Sequence, residues 1–146
     1  IIGIAKVPYS SEIKIERITN NDQWLPSTQN SPISLILRPD MGAVAISVGE
    51  HEIHLFFRDI RYTKLTKFGE ITINMNRGYE RRYYKTNKDG RLYLLNNNPF
   101  TDIFDDAVRL TFTPTKGVSA TFCQDFVDCL CDQLHKERQR QNKQNQ

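Results

Sequence analysis

From Ile33 to Thr113 the apolar residues keep a two-residue period, and turn residues interrupt that period every few positions. Side chains alternate across a strand, so this pattern describes strands with one face in a core and one in water. The segments are Ile33–Leu37, Ala43–Val48, Ile53–Phe57, Ile60–Leu65, Glu70–Met75, Arg81–Thr86, Arg91–Leu95 and Ala107–Thr113. In the second, Val44, Ile46 and Val48 share a face, and in the fifth Ile71, Ile73 and Met75 do so. Two shorter stretches come earlier. Ile1–Val7 is β-branched, and Glu12–Ile18 sets Ile13 and Ile15 on one side, which predicts short edge strands. Between them and Ile33 runs a polar loop rich in Asn, Ser, Thr and Pro, with Trp24 expected as its anchor on the core.

After Pro114 the period changes. Phe122, Phe126, Leu130 and Leu134 recur every four residues, with Cys123 and Val127 widening the stripe. That is the apolar face of one amphipathic helix, expected from about Ala120 to Arg138. Thr121 and Gln124 stand at capping-box spacing, and Ser119 competes as the N-cap. The expected fold is therefore mostly β with one C-terminal helix (α+β). Its antiparallel sheets are bent, or form an open barrel, and the helix caps them. A β-sandwich with an appended helix is the structural alternative. The expected organisation is an N-terminal arm over 1–32, a β domain with its helix over 33–138, and a fraying polar tail over 139–146.

The chain has 146 residues, enough for a core without disulfide staples. Cys123, Cys129 and Cys131 share one helix and are odd in number, which argues against a disulfide framework and for a reducing, intracellular compartment. No apolar run reaches the ~18 residues of a membrane span. Ile1–Val7 is too short and lacks a charged leader for a signal peptide. The chain starts at Ile1 and not at Met, which leaves open a longer parent protein.

No catalytic set, cofactor motif or metal site is recognisable. His51 and His54 are three apart in a strand, so their rings point to opposite faces, whereas a zinc motif needs two His four apart on a helix. The cysteines read as small buried thiols, and Asp102, Asp105 and Asp106 as a solvated turn. The seven glycines are scattered and make no phosphate loop. The one constellation with binding chemistry is the Arg81–Thr86 and Arg91–Leu95 hairpin. The net charge is only +3, but between Arg58 and Arg91 ten Lys and Arg stand against four acids. Asn87-Lys88-Asp89-Gly90 suits a type I turn with Gly90 left-handed, giving a three-residue loop. The pairs are then Asn87 with Arg91, Thr86 with Leu92, Lys85 with Tyr93 and Tyr84 with Leu94. One face carries Tyr84, Thr86, Leu92 and Leu94, expected towards a core. Arg81, Tyr83, Lys85 and Tyr93 fall on the other, expected outward, with Arg77, Lys88 and Arg91 extending the patch. Such a patch suits a protein partner or a polyanion.

The run from Val108 to Leu134, a strand, a Pro-Thr-Lys-Gly turn and then Ala120-Thr-Phe-Cys-Gln-Asp-Phe-Val-Asp-Cys-Leu-Cys-Asp-Gln-Leu134, resembles the close of a pleckstrin-homology-like domain. The order of segments, with Trp24 in a polar loop before the strands, is also similar to the N-terminal domain of a family that assists the formation of meiotic DNA double-strand breaks. Histone-chaperone domains of the same superfold are a second resemblance. The meiotic resemblance implies a nuclear, non-enzymatic scaffold that binds partner proteins. Lipid-binding members of the superfold carry a basic pair around the first hairpin loop. Here Pro39-Asp40-Met41-Gly42 is flanked only by Arg38, which argues against a lipid headgroup. The function expected is non-catalytic protein–protein interaction, with nucleic-acid binding by the hairpin face as the alternative.

Overall fold

A computed structural model describes residues 12–21, 23–24, 31–100 and 108–144. Their strands are β1 (Glu12–Asn20), β2 (Gln23–Trp24), β3 (Ile33–Arg38), β4 (Ala43–Val48), β5 (His51–Phe56), β6 (Ile60–Leu65), β7 (Ile71–Met75), β8 (Arg81–Thr86), β9 (Leu92–Leu95) and β10 (Arg109–Pro114), followed by the helix α1 (Ala120–Gln144). All join one sheet in the order β6-β7-β10-β1-β3-β4-β5-β8-β9, with β2 paired to β1. Every pairing is antiparallel. The expected class, mostly β with one C-terminal helix, is the one observed.

The connectivity forces this sheet to bend. A flat path from β6 to β5 crosses six strand spacings, or about 29 Å. The 3-10 turn Phe57–Asp59 that joins β5 to β6 can reach only about 14 Å. The sheet therefore curls back, and one cluster gathers Ile60 from β6, Ile73 from β7, Phe112 from β10, Leu35 from β3 and Leu55 from β5. Helix α1 closes it, packed on β6, β1 and the 57–59 turn. Cys123, Phe126, Val127, Leu130 and Leu134 are buried, as the four-residue stripe predicts. The capping question is settled for Ser119, whose Oγ accepts the Phe122 N–H at 3.0 Å. The helix runs past Arg138, where fraying was expected, to Gln144.

One strand is placed differently from its expectation. β1, predicted at an edge, lies between β10 and β3. A bulge explains how it fills both roles. The register steps from Ile15 opposite Pro114 to Arg17 opposite Thr113, which leaves Glu16 as the extra residue. That insertion shifts the phase by one, so Ile18 joins Ile13 and Ile15 in the core despite its even number. Trp24 has its backbone opposite Thr19, while its side chain lies outside the described residues, as do Ile1–Val7 and Asp102, Asp105 and Asp106.

Candidate functional site

The hairpin forms in the predicted register. Thr86 faces Leu92, Lys85 faces Tyr93 and Tyr84 faces Leu94. The loop closes with the Asn87 N–H donating to the Arg91 carbonyl at 3.0 Å and the Gly90 N–H donating to that of Asn87 at 2.9 Å. Gly90 sits at φ 79° with open space where a Cβ would stand. Gly90→Ala is thus expected to cost about 1 kcal/mol through the backbone alone, measured by urea unfolding. An unchanged midpoint would show that the loop does not need the left-handed conformation.

The hairpin divides between expectation and correction: Tyr84 is buried and Tyr93 exposed, as expected, but Arg81, Tyr83 and Lys85 do not turn outward. Across β5 and β8, Ile53 faces Tyr83 and Leu55 faces Arg81. Ile53 and Leu55 are fully buried, so Arg81, Tyr83 and Lys85 continue the inner surface of the sheet. Tyr83 packs on the rim of the core, and Arg81 and Lys85 are half-buried. On the other face Tyr84 is buried, with its ring 4.3 Å from that of His54, while Leu94 is 61% exposed. Periodicity pairs residues within a hairpin, but the neighbouring strand β5 decides which face is inner. Arg77, Lys88, Arg91 and Tyr93 are exposed. The cations of this region have local partners. Arg91 pairs with Asp89 at 3.9 Å, Lys85 with Glu50 at 3.7 Å, and Arg81 lies 5.2 Å over the Tyr79 ring. Glu80 takes both Arg58 and Arg82, whose guanidinium groups flank Phe56. The local excess of positive charge is to that extent spent within the fold.

The chemistry of the sheet's two ends differs. In antiparallel ladders, hydrogen-bonded and non-hydrogen-bonded pairs alternate. Since Asn87 bonds to Arg91, Leu92 and Leu94 occupy non-hydrogen-bonded positions and turn their N–H and C=O groups away from β8. The Thr86 N–H, which donates to Glu50 O at 2.8 Å on the β5 side, fits this phase. Among the described residues no strand pairs with the outer side of β9. At the opposite end, α1 covers β6. Arg138 Nη2 donates to the carbonyls of Arg61 at 2.6 Å and Ile60 at 3.5 Å, and the Cys131 thiol approaches Thr63 O at 3.9 Å.

A buried polar network lies on the outer face of β5, and the sequence gives no local sign of it. Glu52 receives Arg38 Nε at 2.9 Å and Nη2 at 2.6 Å, and its Oε1 stands 2.9 Å from His54 Nε2. Burial pushes the Glu52 carboxyl up, but the hydrogen bonds from His54 and Arg38, with the charge of Arg38, outweigh it and hold the group below its ordinary range. His54 is fully buried, with Nδ1 unpartnered, and His51 turns to the other face, edge-on to Phe100 at 5.9 Å. Cys123 is buried, Cys129 half-buried and Cys131 exposed, and none of the three is in a disulfide. Desolvation raises the thiols of Cys123 and Cys131 above their ordinary range. Among the described residues no three His, Cys, Asp or Glu side chains converge as a metal-binding group. Comparisons of the chain with family models, curated proteins and solved structures return no match.

Proposed function

We propose that this chain is a non-catalytic protein-interaction domain that takes an extended segment of its partner as an additional strand beside β9. The observation that carries this reading is the contrast between the ends of the sheet: β6 is covered by α1, whereas β9 presents the outward N–H and C=O groups of Leu92 and Leu94. Backbone pairing supplies affinity in strand addition, and alternate side chains supply selectivity. Leu94 on one face and Tyr93 on the other, both exposed, offer apolar contact to alternate residues of the incoming strand. The pleckstrin-homology-like resemblance of the last strand and helix is part of the same proposal. A scaffold role in a nuclear complex of meiotic recombination follows from the family resemblance and belongs to the same proposal. Arg38 is committed to Glu52, which favours a protein partner over a lipid headgroup. No helix among the described residues is long and apolar enough to cross a membrane.

Leu94→Pro tests this reading. It removes an N–H that points away from β8 and breaks no bond within the hairpin. Affinity purification with the wild-type chain, followed by titration of the recovered partner, should show at least about tenfold weaker binding by the variant, the equivalent of one lost hydrogen bond. Equal binding by both chains, with equal melting temperatures, would remove β9 from the interface.

A further inference from the structure

We propose that the outer face of β6, β7 and β10 is a second binding surface, and that it takes single-stranded nucleic acid. The register places Lys64 beside Thr72 and Thr72 beside Thr111, and likewise Tyr62, Asn74 and Arg109 in one row. These side chains share the face opposite Ile71, Ile73, Leu110 and Phe112, which are all fully buried. The surface is concave. Lys64, Lys67, Phe68, Thr72, Arg109 and Thr111 line a cleft of about 550 Å3 in it.

Three observations identify the occupant. The first is charge. Among the described residues Lys64, Lys67 and Arg109 have no carboxylate partner, in contrast to Lys85 and Arg91 on the hairpin. The single acid on the rim, Glu70, accepts the Thr113 hydroxyl at 3.0 Å. Three cations less one carboxylate leave +2 on a small concave area. Cations without partners are the ones that exchange counterions for phosphates. The second is aromatic exposure. Among the described residues the exposed large apolar side chains are Tyr93 and Leu94, at the β9 edge, and Tyr62 and Phe68, on this face. Phe68 is 76% exposed, and no core contact explains a ring placed so far into water. The third is the pairing of the two. Lys67 Nζ lies 5.2 Å from the Phe68 ring centre and Lys64 Nζ 5.9 Å from that of Tyr62. A base stacked on either ring thus has a cation near its phosphate, the combination used by surfaces that track a single strand. A duplex hides its base faces and leaves the rings unused. A bilayer calls for an apolar floor, whereas this one sets Thr66, Thr72 and Thr111 beside a single leucine, Leu65.

The test uses the full chain and a fluorescein-labelled oligothymidylate of about ten nucleotides, followed by anisotropy at about 50 and 200 mM salt. The expected result is binding whose logarithm falls with the logarithm of salt at a slope of about 0.7 per phosphate contacted, so roughly 1.3 logarithmic units between the two salts for three cations. Lys64→Glu with Arg109→Glu should abolish it, and Phe68→Ala should weaken it about tenfold. The reversal Arg81→Glu with Lys85→Glu, on the hairpin, should leave it intact. Circular dichroism melts confirm that each variant is folded. No binding at low salt overturns the proposal. So does binding lost with the hairpin pair and kept by the Lys64/Arg109 pair, or binding to phosphatidylserine vesicles without any to the oligonucleotide.

Discussion

Replacing Phe126 by alanine is expected to lower the free energy of unfolding by about 4 kcal/mol. The ring is fully buried in the cluster that α1 shares with β1 and β6. Truncation removes its transfer free energy and leaves a cavity that a curled sheet cannot easily collapse to fill. Against a total of ~5–15 kcal/mol for a domain, this is a large share. The melting temperature should fall by about 10 °C or more. A melting temperature unchanged within a degree would mean that the helix does not close the core. In that case the sheet would have to hold its curl through the β10–β1 pairing alone.

The second large effect is expected at Glu52. Its carboxylate is nearly inaccessible and serves both Arg38 and His54. Glu52→Gln removes the charge and leaves the Arg38 guanidinium facing a neutral amide, a change expected to cost about 3 kcal/mol. Replacing Arg38 and Glu52 together by methionine should recover much of that loss, because breaking a buried pair costs more than omitting it. The pH dependence has a definite sign. The folded carboxyl is held below the 4.5 at which it otherwise titrates, so its stabilisation is complete above that pH and is lost as pH falls through the folded value. Urea unfolding across the acid range should show this decline in the wild type and a shallower one in Glu52→Gln. Parallel acid limbs would mean that the pair does not stabilise the fold.

Local periodicity carried much of this architecture. The hairpin register was legible because Gly90 fixes the loop length and the loop length fixes every pair up to Tyr84 and Leu94. The helix stripe was legible because Phe126, Leu130 and Leu134 meet one surface. What could not be read depends on strands distant in sequence. β1 is internal only because β10 returns to it, with Ile18 opposite Phe112. Which face of β8 is inner depends on Ile53 and Leu55 of β5. Arg38 meets Glu52 across the intervening β4, and Lys64 approaches Arg109 across β7. Neither pair leaves a spacing that a single sequence displays.

The pairing of β1 with β10 also governs when this protein can become itself during synthesis. β1 takes β3 as a neighbour early, but its other side stays open until Arg109–Pro114 has left the ribosome, and the inner side of β7 waits for the same strand. Contacts of such sequence separation are slow to form, and open strand edges attract foreign chains in the interval. A nascent chain halted before Arg109 would thus carry two unpaired edges in place of one seam. Its most isoleucine-rich strands would lie beside them, and it would depend on chaperones until the final strand arrived.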